Sequence, residues 1–397
     1  MSRSPSEASA DGGARERILV YRHRLAPLSE VGFLRRFYVG FERLTPVWAG
    51  CRLEPGAAML ATEPLRIGRA GPLGTLDRAL FKEFGVLPPR PDLRAVAPRL
   101  VHAHFGRGGA LALPIARALG IPLVVTFLGG DATKEKHYRR HLLPHVFERR
   151  LPALQREAAL FVCVSEFIRE TLAARGFPPE KLEVIHQGVE IEDEEPPRPA
   201  AESPYFLFAG RFVEKKGAIH LLGAMRILEG RGVEAGLVLI GDGPLAPALK
   251  EEAKGLKRVS FPGWLPPAAL RGWMRGALAV CVPSVTARSG DSEGLPNVLV
   301  EAMAEGAAVV GSREAGIPEA IEHEKTGLLV PPGDAGALAD ALQSVIEAPA
   351  RRRQLGVAAR AAALARFEAK SQSRRLERAL LRVIEENVLS LPKEASR

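Results

Sequence analysis

Short apolar runs recur along this chain, and each breaks at a glycine, a proline or a polar loop before apolar residues resume at helical spacing. Arg17–Tyr21 opens the series. Leu100–His104 and Pro122–Phe127 follow, with a helix-type stretch Ala110–Leu119 between them, then Leu160–Val164 and Val184–Val189. The second half repeats the alternation. Tyr205–Ala209 precedes a helix over Ala218–Leu228, Leu237–Ile240 and Val259–Trp264 come next, and Leu278–Val282 precedes a helix carrying Val298, Leu299, Ala302 and Met303. Strands separated by helices pair in parallel, so the pattern predicts α/β architecture. At 397 residues the chain exceeds the usual size of one core, which predicts two domains. Residues 191–204 lie in an acidic, proline-rich stretch without apolar period and read as the linker.

Two parts fit the alternation less well. The loop His23–Glu30 leads into an expected helix with Phe33, Leu34, Phe37, Tyr38, Phe41 and Leu44 on one face and Arg35 and Arg36 off it. Residues 55–98 are rich in proline and glycine, with one short helical piece near Leu76–Phe84 and no legible role.

Charge divides the chain. Residues 1–190 carry 28 Lys and Arg against 19 Asp and Glu, and the remainder carries 27 against 27, so the first half holds the whole net charge of +9. No zinc spacing, aromatic-basic interleaving or reading motif accompanies it. That argues against nucleic acid and for an anionic membrane surface or a phosphate-bearing acceptor, with Arg35, Arg36, Arg139 and Arg140 as the first cations to expect there. Met1–Ala14 is polar, with no apolar core after its arginine, and reads as a disordered tail rather than a signal peptide. Ala110–Gly130 is interrupted by Pro114, Arg117, Gly120 and Pro122 and is poorly suited to span a bilayer. Three cysteines, with Cys163 and Cys281 inside apolar runs, point to buried thiols and a reducing cytoplasm.

His102 and His104 stand at a strand end, where at most one is expected to face a cleft. His137, His141 and His145 recur every four residues. Pro144 and the lack of nearby carboxylate or thiol ligands favour a solvated basic helix over a metal face.

The chemistry concentrates at two strand-to-helix junctions. At the first, Gly210 and Arg211 follow the strand Tyr205–Ala209, and Lys215, Lys216 and Gly217 open the next helix. A glycine there lets backbone approach a ligand, while a forked guanidinium and a point charge suit a diphosphate. A leaving diphosphate gains negative charge, so fixed cations stabilise the transition state more than the ground state. At the second junction Pro283 ends a strand and a polar loop carries Glu293 and Gly294. Pro296 then stands where a first helical residue belongs, since its missing N–H is one the helix leaves unbonded. Glu293 and Glu301, eight positions apart, can hold two parts of one ligand beside the positive end of that helix.

Taken in order, Gly210-Arg211-x4-Lys216-Gly217, Gly241-Asp242-Gly243-Pro244, the run Glu293 to Glu301 and the run Glu314 to Glu319 closely resemble the signature of family 4 retaining glycosyltransferases of the GT-B fold. The likeness is strong over residues 205–335 and weaker before 190. Pro27 to Glu30 with the aromatic stretch after it is similar to the opening of glycosyltransferases that build bacterial surface polysaccharides.

The resemblance implies two doubly wound Rossmann-like domains facing across a cleft. Residues 1–16 are then a tail, 17–190 the acceptor-side domain, 191–204 the linker, 205–370 the nucleotide-sugar-binding domain, and 371–397 a final helix crossing back to the first domain. It implies transfer of a sugar from a nucleoside diphosphate to an acceptor hydroxyl, with retention at the anomeric carbon. Arg211 and Lys216 hold the diphosphate on this reading, and Glu301 holds the ribose. Glu293, with Gly294, Leu295, Pro296 and Asn297, holds the donor sugar, while Gly263 and Trp264 lie near the base. Glu293, Arg211, Lys216 and His104 are the catalytic candidates. No metal or other cofactor is expected, because the cations do that work and Asp291-Ser292-Glu293 only superficially resembles a metal string. The implied acceptor is lipid-linked, a saccharide or a small molecule, met in the cytoplasm or peripherally at the inner face of the membrane. A nucleotide-sugar binder without turnover and an epimerase or phosphorylase of the same fold are the alternatives, the last disfavoured by the intact loop.

One turn departs from the family. Members commonly carry histidine in a Thr-Phe-His-Gly turn, reaching toward the donor's 6-hydroxyl; here it reads Thr126-Phe127-Leu128-Gly129, with Asp131 close behind. Leucine cannot hydrogen-bond, and an unpaired desolvated hydroxyl costs about 1–3 kcal/mol. Either the donor lacks that hydroxyl, as a pentose or 6-deoxy sugar does, or His104 supplies the contact, or Leu128 turns into the core, or activity is reduced or absent.

Overall fold

The computed structural model describes residues 15–26, 33–56, 63–88, 93–134, 145–192 and 203–390. Most of the expected tail, residues 193–202 of the linker, and His137, His141, Arg139 and Arg140 lie outside the described residues.

Two parallel sheets organise the chain. The first contains β1 (Glu16–Tyr21), β2 (Leu44–Gly50), β3 (Leu65–Arg66), β4 (Val101–His104), β5 (Leu123–Phe127), β6 (Leu160–Cys163) and β7 (Leu182–Val184) in the order β3-β2-β1-β4-β5-β6-β7. The second contains β8 (Tyr205–Ala209), β9 (Gly236–Ile240), β10 (Val259–Gly263), β11 (Ala279–Val282), β12 (Val309–Ser312) and β13 (Leu328–Val330) in the order β10-β9-β8-β11-β12-β13. In each sheet the order reverses beside the first strand, which places a ligand crevice outside the carboxyl ends of the strands. Tyr205, Leu207 and Ala209 of β8 enter one core cluster and Phe206 and Phe208 the other. Burial on both faces is why this strand is apolar throughout.

The helices that position the site are α1 (Gly71–Phe84), α2 (Gly106–Leu119), α3 (Val146–Glu157), α4 (Glu166–Ala174), α5 (Ala218–Gly230), α6 (Asn297–Ala304) and α7 (Ala369–Ser390). Pro296 is extended (φ −65°, ψ 121°) and caps α6 instead of opening it. His145 caps α3, its Nδ1 accepting from the Phe147 N–H, so it is not part of a histidine-bearing helical face.

The largest departure from the sequence reading is β2. Leu44, expected on a helix, opens a strand that pairs with β1 from Glu16–Leu44 to Tyr21–Ala49. The described helical part of that stretch covers only residues 33–35. Pro46 disguises the strand, and it is tolerated because β3 reaches only Ala49 and Gly50, leaving Pro46 on an edge. The strand expected over Val184–Val189 instead occupies Leu182–Val184, and β1 begins one residue inside the expected tail.

α7 starts at Ala369 and packs on the first domain, where Leu376, Ala379, Leu380, Val383 and Ile384 join that domain's core. Ser373 Oγ accepts from the Gly40 N–H at 2.9 Å. The buried Glu377 carboxylate accepts from the N–H groups of Glu42, Arg43 and Leu44 at 2.7–3.0 Å, filling donors at the start of β2. Glu377→Ala leaves those donors without an acceptor and is expected to cost about 3 kcal/mol, with Glu377→Gln recovering part through its amide oxygen. Urea unfolding checks this; an unchanged midpoint in the alanine variant contradicts it.

Candidate active site

A cleft of about 980 Å³ opens between the carboxyl ends of the two sheets. That is at the upper end of the range for ligand clefts. Its second-domain wall is built by the turns after β8, β9 and β10 and by the loop from β11 to α6.

The turn after β8 carries three cations. Arg211 lines the cleft with an exposed guanidinium and has no carboxylate partner among the described residues. Gly217 lets the lysine turn close against the next loop: it sits at φ +68°, and a Cβ there would fall 1.7 Å from the Pro283 carbonyl oxygen. The Val285 N–H then donates to the Lys215 carbonyl at 2.9 Å. Lys216 Nζ reaches Glu293 Oε1 at 3.2 Å, and Lys215 Nζ lies 3.0 Å from Asp291 Oδ1 and 3.5 Å from Glu293 Oε1. Burial opposes the charge on Lys215, but the Glu293 and Asp291 carboxylates outweigh it and hold its pKa above the usual value. Both lysines thus enter the cleft, although only Lys216 was singled out from the sequence; spacing alone does not separate neighbours in a turn.

Glu293 is 8% exposed. Leu295 and Asn297 line the cleft beside it, and Gly294 and Pro296 are buried in the same loop. Trp264 stands at the mouth, 67% exposed, after Gly263, whose carbonyl accepts from the Gly241 N–H. Gly210 also lines the cleft. Glu301 faces it from α6, yet its Oε1 is 2.6 Å from Nη1 of Arg36 in the other domain. Arg36, expected at a membrane surface, is instead turned inward, and Arg35 approaches Glu190 at 3.7 Å.

The first-domain wall meets the Gly294 loop at Leu128 and Gly129. A Cβ on Gly294 would stand 2.5 Å from the Leu128 carbonyl oxygen, so only glycine allows this approach. Leu128 lines the cleft rather than lying wholly in the core. Asp131 holds the turn: its buried carboxylate accepts from the N–H groups of Gly106, Leu128 and Gly129 at 2.9–3.1 Å. Across the cleft Lys134 Nζ pairs with Asp291 Oδ2 at 3.1 Å and the Ser292 N–H donates to Thr133 Oγ1 at 3.0 Å. Asp291 therefore serves lysines from both domains. Arg107, Arg175 and Gln187 also line the cleft and carried no signal in the sequence reading.

His104 does not line the cleft. It shares one face of β4 with His102, because side chains two apart in a strand point the same way, and the rings lie 4.7 Å apart. The Tyr38 hydroxyl is 2.7 Å from both His102 Nδ1 and His104 Nε2, and His102 Nε2 is 2.7 Å from Thr126 Oγ1. Burial lowers the pKa of both, that of His102 to about 3. At most one of the two rings is expected from the sequence to face the cleft, and neither lines it, so His104 is not placed to act as a catalytic residue there. Among the described residues no group of three His, Cys, Asp or Glu is placed to hold a metal ion.

Residues 54–193 match the family model described as Glycosyltransferase Family 4, and residues 203–348 match the one described as Glycosyl transferases group 1. The chain is 37% identical over 265 residues to the amylovoran biosynthesis glycosyltransferase AmsK of Erwinia amylovora, covering 65% of this chain and 64% of that one. It is 33% identical over 247 residues to the putative colanic acid biosynthesis glycosyltransferase WcaL of Escherichia coli K12, covering 60% and 59%. The matches therefore span less than two thirds of either relative. Among solved structures the Anabaena protein HepE in complex with UDP and glucose superposes with a TM-score of 0.73 at 20% identity, over 93% of this chain and 100% of that one.

Burial lifts the Asp131 carboxyl from its ordinary 3.8 to about 6, despite the backbone N–H groups that oppose the shift. Between these values the folded chain keeps a proton that the unfolded chain releases. The contribution is thus complete below 3.8 and is lost as pH rises through about 6. At roughly 1.4 kcal/mol per unit, wild type should lose about 2–3 kcal/mol from this group on going from acid to neutral pH, and Asp131→Asn should lack that step. Urea midpoints at the two ends check it; parallel profiles contradict it.

Proposed function

With a family 4 segment in its first half and a group 1 segment in its second, the chain belongs to the GT-B glycosyltransferases, and we propose that it moves a sugar from a nucleoside diphosphate to an acceptor hydroxyl with retention, in bacterial surface-polysaccharide or glycolipid assembly. The observation that carries this is the contact of Lys216 with Glu293 at 3.2 Å, beside Arg211, which has no carboxylate partner among the described residues, and opposite the Leu128–Gly129 turn. A cation for a departing diphosphate and a carboxylate for sugar hydroxyls stand side by side at the domain junction.

Arg211 grips the diphosphate in a fork, and Lys216 adds a point charge that strengthens as the bond to the anomeric carbon breaks. Lys215 keeps Asp291 and Glu293 in place as well as adding positive charge. Glu293 accepts from donor-sugar hydroxyls, Glu301 from the ribose, and Trp264 flanks the base. No metal takes part. The acceptor is a saccharide or lipid-linked sugar met at the inner, anionic face of a membrane; no described helix is long and apolar enough to cross one.

Leu128 narrows the donor. It lines the cleft, and His104, the other candidate for a 6-hydroxyl contact, is tied to Tyr38 away from it. The donor on this reading lacks that hydroxyl, as a 6-deoxy sugar or a pentose does.

Incubation with a panel of nucleoside diphosphate sugars tests the function through slow donor hydrolysis, and binding without hydrolysis of any donor would mark a binder instead. Arg211→Ala and Lys216→Ala should each lower turnover on the order of 10²-fold, with folding unchanged. Wild-type rates in both would place the diphosphate elsewhere. Activity should persist in chelator; loss restored by a divalent ion argues for a metal. Wild type should prefer 6-deoxyhexose or pentose donors, and Leu128→His should shift it toward hexoses; hexose preference in wild type with no shift removes the donor proposal.

A further inference from the structure

Glu301 enters the cleft already held. It lines the cleft with Asn297 and Val298, four and three positions before it on α6, a spacing that shares one helical face, while Leu299, Val300, Ala302 and Met303 are buried in the second domain. Nη1 of Arg36, 265 residues away in sequence and part of the first domain, donates to Glu301 Oε1 at 2.6 Å. The two side chains are 20% and 23% exposed, so this charge-assisted bond is stronger and less screened than one at the open surface. Among the described residues no donor reaches Glu301 Oε2.

Arg36 is fixed from both sides of its own turn. Before it, the Phe33 carbonyl accepts from Gln187 Nε2 at 3.1 Å and Arg35 approaches Glu190 at 3.7 Å. After it, Phe37 is buried and the Tyr38 hydroxyl lies 2.7 Å from both His102 Nδ1 and His104 Nε2. The Tyr38 N–H donates to the Arg35 carbonyl at 2.9 Å and closes the turn around Arg36. The Tyr38–His102–His104 cluster does not line the cleft; it anchors the turn from which Arg36 extends.

We propose that Arg36 is the positioning residue for ribose recognition: it holds Glu301 by Oε1 and leaves Oε2 to accept from a ribose hydroxyl, so a first-domain side chain sets the preference for ribonucleoside over deoxyribonucleoside diphosphates. A free glutamate samples several rotamers and must be ordered by its ligand. One gripped by a guanidinium is ordered beforehand, and the ribose contact then costs less. A carboxylate has lone pairs for about four donors, so Arg36 keeps its bond when the ribose arrives. Because Arg36 and Glu301 belong to different domains, the ribose site is complete only while the two domains are together. The inference deepens the reading of Glu301 as the ribose carboxylate and rests on it.

The test is calorimetric titration of the full chain with UDP, GDP, ADP and CDP, each beside its 2′-deoxy and 3′-deoxy counterparts. Wild type should bind a ribonucleotide about tenfold more tightly than one of its deoxy counterparts. Arg36→Gln should reduce that ratio to about twofold by weakening the ribose form alone, and Arg36→Lys, which keeps the charge, should recover part of it. Arg36→Gln combined with Glu301→Gln should bind like Glu301→Gln by itself, since the two act through one contact. Wild-type affinity for the deoxy forms shows that the variants fold. An unchanged ratio in Arg36→Gln, an equal loss of ribose and deoxy binding, or tighter ribose binding in that variant, which would make Arg36 a competitor for Glu301, each overturns the proposal. Wild type that binds the deoxy forms as well as the ribose forms overturns it too. Wild type that binds none of these nucleotides removes the glycosyltransferase reading together with the proposal, whereas ribose-selective binding that ignores Arg36 removes the proposal and leaves that reading standing.

Discussion

Positive charge drawn into a closed cleft has to be matched there, because an unpaired buried ion is far more costly than a paired one. The loop from β11 to α6 does this matching. Asp291 takes Lys215 from the second domain and Lys134 from the first, and Glu293 takes Lys216 and Lys215. The same contacts aim the lysines and hold the loop, and Arg211 beside them has no carboxylate partner among the described residues. Removing the carboxylates would leave three like charges on one wall with nothing to hold them together.

Those pairings work only because the domains meet closely. Gly294 lets backbone meet backbone at Leu128, Thr133 takes the Ser292 N–H, and Arg36 reaches Glu301. Farther along, the Glu319 carboxylate accepts from the Glu166 and Phe167 N–H groups at 2.8 Å, capping α4 of the first domain from the second. α7 supplies the remaining tie, with its apolar face in the first core and Glu377 under β2. A donor entering this cleft meets groups from both sheets and shares Glu301 with Arg36.

The legible parts of the chain were those where local and tertiary demands agree. Tyr205–Ala209 is apolar throughout because both faces are buried, so it reads as a strand without help from its neighbours. Leu44–Gly50 was not legible, because Pro46 speaks against a strand and only the limited reach of β3 makes it harmless. Glu293 stood out through its neighbours in the loop, whereas nothing local placed Lys134 or Arg36 in the cleft, since their partners lie more than a hundred residues away. The histidines misled for a simpler reason. A strand's two-residue period puts His102 and His104 on one side, and Tyr38 then draws both inward.

The sequence by itself determined the α/β alternation, the two domains, and the strand-to-helix junctions where Arg211, Lys216 and Glu293 stand and after which Glu301 lies on a helix, because these follow from apolar period and turn residues within short windows. Tertiary structure alone decided which charges meet, that Glu301 is held by Arg36, that His104 stays out of the cleft, and that the leucines of α1 face solvent. Pairing of ions and exposure of a helix face depend on what the other domain or the neighbouring layer places within a few ångströms, and no local pattern encodes that distance.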